Sequence, residues 1–223
     1  MLAAARRPPA SVETGRNDTS PWRLFVALAI PTLVRDALGQ AQAQLQAAGV
    51  RAAWVRPEAM HLTLHFLGNT PTTRVADIAA ACERAAARVP PVHLRIAGMD
   101  SFPTPRRPRV IVAGVQGKAE QLRRLHGRLA RLLPRAGARV DTRPLRPHVT
   151  LGRLRRPPPA PALAALREIL ALPPATYGDF SADSVDLIRS ELQPGGAVYT
   201  VLASAPLLRP QGADVGISTP ADI

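Results

Sequence analysis

The sequence predicts an α+β fold made of two similar halves. Along the 223-residue chain, short apolar runs typical of strands alternate with longer Leu- and Ala-rich runs of helical spacing. A tetrapeptide also recurs, since His61-Leu62-Thr63-Leu64 in the first half returns as His148-Val149-Thr150-Leu151 in the second. Each copy lies in a predicted strand, so we expect a duplicated unit with one His-Thr strand in each half.

In the first half, Pro and Gly mark where elements end. Pro31 closes an apolar strand, and Gly49 follows a Leu-, Ala- and Gln-rich stretch as a helix stop. The turn residues Asn69-Thr70-Pro71 start the second helix. The predicted elements are strand 23–30, helix 32–48, strand 52–55, the first His-Thr strand 61–67 and helix 72–88.

The second half has the same mixture of strands and helices. Leu and Arg recur at helical spacing over 118–133, which predicts an amphipathic helix with a basic outer face. Prolines over 103–108 predict a loop, and Pro194-Gly195-Gly196 predicts a hairpin turn. The predicted elements are strands 92–97 and 110–115, helix 118–133, the second His-Thr strand 149–154, helix 162–171, and strands 184–189 and 197–202.

Length and composition suit one folded domain between two tails. We expect a single bilobal domain over 22–209, with flexible tails at 1–21 and 210–223. No apolar run approaches the roughly 18 residues needed to span a bilayer, so no membrane partner is expected. The single cysteine, Cys82, excludes an intrachain disulfide and is expected to be buried as a small apolar residue. The expected location is therefore the cytoplasm, with a monomer as the default state.

The chain is strongly basic, with a net charge of +13. Clustered cations attract polyanions and speed their encounter, so part of this charge is expected to serve nucleic-acid binding. Lys118 is the only lysine, and such an excess of arginine is also typical of a coding bias. Two interpretations stay open for the run of Arg106, Arg107 and Arg109, namely contact with an RNA backbone and a solvated surface.

The His-Thr strands offer the groups needed for acid–base chemistry. Because a strand has a side-chain period of two, His61 and Thr63 share one face, as do His148 and Thr150. If both strands face one cleft, a neutral imidazole can deprotonate a nucleophile while a charged one protonates the leaving oxygen of a phosphodiester. The threonine hydroxyls can donate to non-bridging phosphate oxygens. This scheme requires no metal and no cofactor, and the residues alone do not identify which histidine is the acid.

Longer stretches around the two signatures carry a family resemblance. The chain resembles the 2H phosphoesterase superfamily and, within it, the RNA 2′,3′-cyclic phosphodiesterases, also called the 2′-5′ RNA ligase or LigT-like family. The matching stretches are Arg23-Leu24-Phe25-Val26-Ala27, His61-Leu62-Thr63-Leu64 with Phe66-Leu67-Gly68, Arg146-Pro147-His148-Val149-Thr150-Leu151 with Arg153-Leu154, and the closing stretches 189–192 and 194–199.

This resemblance implies a bilobal fold in which two antiparallel sheets, related by pseudo-twofold symmetry, surround a central cleft with helices outside. It also implies that His61 donates a proton to the leaving 3′ oxygen while His148 activates water as the base. The expected substrate-binding residues are Thr63, Thr150 and Arg153. The substrate would be RNA with a 2′,3′-cyclic phosphate end, or a cyclic nucleotide, and the product a 2′-phosphate with a free 3′ hydroxyl.

The position of Arg153 depends on the shape of its strand. The family pattern favours an arginine just after the second signature, where it could bind phosphate. However, five residues after His148 is the opposite face of a regular strand. Arg153 therefore reaches the cleft only if a bulge or twist intervenes.

The other histidines have alternative interpretations. His61 and His65 would form a zinc pair only on a helix, which the Leu-Thr-Leu between them disfavours. Under strict alternation His65 shares the face of His61, so it either lines the cleft or lies at a solvated edge. His93 and His126 have no partners in the sequence and are expected to be exposed.

Two further functions stay open at this point. The protein could be an RNA-binding module with little turnover, or it could join RNA ends through a 2′-5′ linkage. In ~55 M water, hydrolysis should dominate over joining unless an acceptor end is specifically held. Phe25, Trp54 and Tyr199 are candidates to stack on a base, although core burial is favoured for Phe25.

Overall fold

The computed structural model describes residues 20–117, 119–141, 143–194 and 196–208. This part of the chain contains nine β-strands and four α-helices. In chain order they are β1 (Trp22–Ala29), α1 (Thr32–Ala47), β2 (Ala53–Trp54), β3 (His61–Thr70), α2 (Val75–Ala86), β4 (Val92–Thr104), β5 (Arg107–Gly117), α3 (Ala119–Leu132), β6 (His148–Arg153), α4 (Ala160–Ala171), β7 (Thr176–Ala182), β8 (Ser184–Gln193) and β9 (Gly196–Pro206).

The nine strands form one antiparallel sheet. Eight of them follow the order β7-β4-β5-β6-β3-β1-β8-β9, and β2 pairs with β6. The two His-Thr strands, β3 and β6, are neighbours at the centre, but they pair at one position only, Leu62 with Val149. The mixed α/β architecture is confirmed. The expected division into two sheets is not, because this pair joins the two groups of four strands.

Strand β1 is buried on both faces. In β1, Val26 and Leu28 enter the main core, whereas Phe25 and Ala27 form a smaller cluster with Ile188 on the other face. This double burial explains why the sequence of β1 is a continuous apolar run. The main core also takes residues from α1, α2 and α3, so the helices cover one face of the sheet while the other face stays available for a site.

The expected loop over 103–108 was wrong. β4 and β5 form a hairpin that continues to a turn at residues 105–106, with Pro103 opposite Pro108 in the ladder. Neither β6 nor β7 covers this outer part of the hairpin. Proline lacks an N–H to donate to a neighbouring strand. At this part of the hairpin no further described strand is present, so no hydrogen bond to such a strand is lost.

Strand β7 was not predicted. It contains Gly178 and Asp179, follows Pro173 and Pro174, and lies at the edge of the sheet. Its conformation comes from pairing with β4, a tertiary contact that a weakly apolar local pattern does not reveal.

Several sequence expectations concern the ends of the chain and its location. The predicted tails lie almost wholly outside the described residues, so they stay predictions, as does the single domain over 22–209. Cys82 is buried, as predicted. Among the described helices, none is both long enough and apolar enough to cross a membrane.

Candidate active site

The two His-Thr strands meet at the centre of the sheet. β3 and β6 pair at Leu62 and Val149, and both side chains are fully buried in the main core. The residues on either side of this pair therefore point to the opposite face of the sheet. They are His61, Thr63, His148 and Thr150, and all four are half-buried.

The register of this pair places each histidine opposite a threonine. In an antiparallel pair, a step forward on one strand matches a step back on the other, so His61 lies across from Thr150 and Thr63 across from His148. The two histidines are then diagonal neighbours on one face, a relation that corresponds to about 7–8 Å between strand positions. A phosphate group placed between the two rings can be contacted by both.

A cavity of about 730 Å³ lies over this face. Thr63, His148, Thr150 and Arg153 line it, so four of the five expected site residues share one space. His61 is not among the lining residues and stands beside the cavity, across from Thr150. Other walls come from β3, the β4–β5 hairpin, α3 and the segment before β6, through Phe66, Phe102, Val110, His126, Arg143 and Arg146.

Both histidines are oriented by the same backbone contact. The Nδ1 atom of His61 lies 2.8 Å from the carbonyl oxygen of Ala59, and that of His148 lies 2.6 Å from the carbonyl oxygen of Arg146. A carbonyl oxygen can only accept, so in each ring Nδ1–H is the donor. Nε2 is therefore the atom that remains to exchange a proton with substrate.

The surroundings lower the pKa of both histidines below 6.5. Burial is the main cause of the lower pKa of His61. The hydrogen bond to the Ala59 carbonyl raises this pKa, and the positive charges of His148 and Arg153 lower it further. Burial is also the main cause of the lower pKa of His148. The hydrogen bond to the Arg146 carbonyl raises this pKa, and the positive charge of Arg153 lowers it further. These surroundings therefore favour the neutral form of both rings in the unliganded protein. A bound phosphate anion would favour protonation of one of them.

A β-bulge brings Arg153 to the cavity. Consecutive residues of β5 pair with Thr150 and Gly152, so Leu151 is an extra residue in β6. This extra residue shifts the alternation by one, and Arg153 returns to the face that carries His148. The condition that the sequence set for Arg153 to reach the cleft is thus met.

A matching bulge in β3 changes the position of His65. Consecutive residues of β1 pair with Thr63 and His65, so Leu64 is extra. The solvated edge considered for His65 was wrong, because its side chain is 2% exposed and its Nε2 donates to the His126 carbonyl at 3.0 Å. His65 lines the inner wall of the cavity, and Phe66 takes the position in β3 that Arg153 has in β6.

The expected exposure of His126 was also wrong. Its ring is half-buried and stacks on that of His65, with 4.0 Å between centroids. Burial, and next the charge of His65, lower the pKa of His126 to about 4. His93 is exposed, as predicted. Within the described ranges, no group of three or more His, Cys, Asp or Glu side chains is arranged to hold a metal ion.

Aromatic rings surround each histidine. His61 stacks on Phe25 at 4.7 Å between centroids, and Tyr199 meets His61 edge-on at 5.2 Å. His148 meets the ring of Phe102 edge-on at 5.0 Å, and the Arg146 guanidinium lies 5.8 Å from the centre of that ring. Phe25 is buried, as favoured by the sequence, so its open role in base stacking is replaced by contact with His61.

Phe66 and Phe102 line this cavity, although their positions in the sequence did not mark them as site residues. Phe102 lay next to the segment predicted as a loop, and Phe66 was noted only as part of a signature. Both phenylalanines lie next to buried residues in their strands, a pattern that can indicate the wall of a cavity. Recognising it would have required knowledge of the hairpin and of the bulge in β3. Trp54 packs against the main core, so nothing places it at the cavity.

Comparison with known proteins gives relatives over most of the chain. The family model of the 2′-5′ RNA ligase superfamily matches residues 34–194. A Thermus thermophilus protein named RNA 2′,3′-cyclic phosphodiesterase is 34% identical over 187 residues, which are 81% of this chain and 87% of that protein. A Methanothermobacter thermautotrophicus protein of the same name is 31% identical over 181 residues, 80% of this chain and 95% of that protein.

Solved structures share the fold. A crystal structure of a Thermus thermophilus protein, 33% identical, superposes with a TM-score of 0.67 over 83% of this chain and 97% of that one. Escherichia coli LigT complexed with 3′-AMP, 24% identical, gives a TM-score of 0.68 over 85% of this chain and 99% of that one, which supports the fold alone. Since the family model covers more than half of the sequence, the chain belongs to the 2′-5′ RNA ligase superfamily, as its paired signatures predicted.

Proposed function

We propose that this protein hydrolyses the 2′,3′-cyclic phosphate of RNA ends or nucleotides to a 2′-phosphate and a free 3′ hydroxyl. One observation carries the proposal: the two histidines are diagonal neighbours on one face of adjacent strands, next to a cavity that Arg153 also lines. Relatives that are 31–34% identical over most of their length and carry the name RNA 2′,3′-cyclic phosphodiesterase support it.

In the proposed reaction the cyclic phosphate lies between the two imidazoles. His148 Nε2 accepts a proton from a water molecule, whose oxygen attacks phosphorus in line with the 3′ oxygen. The bond from phosphorus to the 3′ oxygen breaks, and protonated His61 gives its Nε2 proton to that oxygen. Thr63, Thr150 and Arg153 bind the non-bridging oxygens, where negative charge builds up. Each proton transfer is typically worth about 10²–10⁴ in rate.

The surroundings of the two rings support this division of roles. His61 lies flat against Phe25, and the face of an aromatic ring favours a cation placed on it. His148 lacks such a stacked partner among the described residues, and its ring stands perpendicular to that of Phe102. This stacking supports His61 as the acid of the proposed reaction, and it acts against burial and the charges of His148 and Arg153, which lower the pKa of His61.

The finer expectations about this site are part of the proposal. Turnover should need neither a metal nor a cofactor, because two imidazoles and three oxygen-binding groups supply every step. A pseudo-twofold relation between the halves is supported by the matching bulges, each three residues after its histidine. The monomeric state and the cytoplasmic location stay predictions.

The test is the identity of the product. Incubation with 2′,3′-cyclic AMP should give 2′-AMP, separable from 3′-AMP by chromatography, with equal rates in the presence and absence of EDTA. Formation of 3′-AMP would contradict the assignment of the leaving oxygen. Binding without turnover would instead identify an RNA-binding module.

A further inference from the structure

We propose that the outer end of the β4–β5 hairpin is a binding arm for the RNA chain on the 5′ side of the cyclic phosphate. This basic arm consists of Arg106, Arg107 and Arg109 on the hairpin, Arg155 and Arg156 after β6, and Arg167 of α4. The inference rests on the proposed function. It adds that single-stranded RNA is preferred over mononucleotides as the substrate.

The arm is continuous with the candidate active site. Phe102 and Val110 are paired across the hairpin and line the cavity. The hairpin extends two further residue pairs beyond them, which is about 7 Å at the rise of a strand. A chain that leaves the cavity over this rim meets the arm next.

Main-chain contacts hold the arm together. Val110 pairs with Arg153, and the Leu154 N–H donates to the Arg109 carbonyl at 2.8 Å, so Arg155 and Arg156 follow directly beside the hairpin. From α4, the Arg167 side chain donates to the Pro105 and Arg106 carbonyls at 3.3 and 3.2 Å. These contacts fix the hairpin end against the rest of the molecule.

The positive charge of the arm is not neutralised within the protein. All six guanidinium groups belong to exposed residues, and none of the salt bridges of the described residues involves them. The same segments carry two carboxylates, Asp100 and Glu168, and Asp100 already accepts the N–H of Ser101. Unpaired arginines beside a phosphodiester site fit a ligand that carries one negative charge per nucleotide, which is an RNA backbone.

The test compares two triple variants that remove the same charge. Arg106→Gln/Arg107→Gln/Arg109→Gln removes the three arginines at the outer end of the hairpin and leaves Arg167 in place. The control, Arg88→Gln/Arg124→Gln/Arg131→Gln, removes two exposed arginines of α3 and one that follows the end of α2, outside the hairpin. Circular dichroism should show that both variants fold, because all six side chains are exposed.

Two substrates separate the arm from the chemistry. With a short single-stranded RNA that ends in a 2′,3′-cyclic phosphate, the hairpin variant should raise KM roughly 10-fold at unchanged kcat. With 2′,3′-cyclic AMP it should match the wild type, since a mononucleotide does not reach the arm. For the RNA, the slope of log(kcat/KM) against the logarithm of the salt concentration should become shallower by about 2. Each contact with a single strand releases about 0.7 counterion, and three contacts are lost.

A binding measurement keeps the inference testable without turnover. Fluorescence anisotropy of a labelled single-stranded RNA ending in a 2′-phosphate should show weaker binding by the hairpin variant than by the control variant. Equal losses in both variants would overturn the arm, because net charge would then explain them. An unchanged KM and salt slope would also overturn it. Failure of the wild type to hydrolyse both the RNA and 2′,3′-cyclic AMP would contradict the proposed function instead.

Discussion

At the scale of single residues, the two candidate catalytic histidines are held alike and surrounded differently. Each donates from Nδ1 to the carbonyl two residues before it, which leaves Nε2 for substrate. The difference lies beside the rings, because His61 stacks on Phe25 whereas the ring of His148 stands perpendicular to that of Phe102. Arg153 acts on both, because its charge lowers the pKa of each ring.

Replacing Arg153 with Gln should therefore have two separate effects. The pKa of both His61 and His148 should rise, because a positive charge that disfavours their protonated forms is removed. KM should also rise, by roughly 10-fold, through loss of a charged hydrogen bond to phosphate. NMR titration of the imidazole protons measures the first effect and steady-state kinetics the second. Arg51→Gln, at an exposed position, is the control. Unmoved histidine titrations would contradict the inferred proximity.

At the scale of elements, two bulges decide which side chains reach the site. Period-two alternation was sufficient to predict that His61 and Thr63 share a face, as do His148 and Thr150, because those residues precede the bulges. For His65, which lies after the extra residue in β3, alternation allowed a place on the cavity wall, where the ring lies, but it did not reveal the burial of that ring against His126. Bulges arise from the register with β1 and β5, and a local sequence pattern does not contain that register.

Gly152 should be needed for the close approach of β2 to β6. A Cβ built there would lie 2.8 Å from Cε3 of Trp54 and 3.1 Å from Cβ of Ala52, too close to both. Gly152→Val should destabilise the protein by about 1–3 kcal/mol and lower activity by moving Arg153. Urea denaturation and turnover of a cyclic nucleotide measure the two effects.

The control for this substitution is Gly127→Ala in α3, where a Cβ would meet nothing within 4 Å. It should raise stability by about 0.5–1 kcal/mol, since alanine is the better helix former. A Gly152→Val variant as stable as the wild type would show that β6 and β2 can separate freely.

The stacked pair of His65 and His126 should make the packing of α3 on β3 sensitive to acid. The folded-state pKa of His126 is about 4, against 6.5 in an unfolded chain, and burial lowers that of His65 although Asp141 raises it. Between these pH values unfolding takes up protons, so stability is fully present above about pH 6.5 and is lost as the pH falls.

The melting temperature measured at several pH values tests this coupling. His126→Gln should reduce the fall in melting temperature between pH 7 and 5, because one proton-linked group is gone. The exposed His93, replaced in the same way, should leave the fall unchanged. An equal fall in His126→Gln and the wild type would contradict the assignment.

At the scale of the whole molecule, the mixed α/β architecture was predictable from the sequence, and the single continuous sheet was not. The repeated tetrapeptide indicated two halves with one His-Thr strand each, and both strands are central in the sheet. The two groups of four strands are joined into one sheet by the pairing of Leu62 in β3 with Val149 in β6. These residues are far apart in the sequence, so a local pattern does not reveal their pairing. Strand β7 and the outer β4–β5 hairpin were missed for a related reason, since neighbouring strands or turn geometry determine them.

The central claim is that His148 and His61 serve one phosphorus centre as base and acid. It is tested most directly by the pH dependence of kcat/KM for 2′,3′-cyclic AMP in the wild type and in two single variants. The wild type should give a bell-shaped profile. His148→Ala should lose the acidic limb and His61→Ala the alkaline limb, each with turnover lower by about 10²–10⁴. Near-normal turnover in either variant, or both limbs unchanged in both variants, would contradict it.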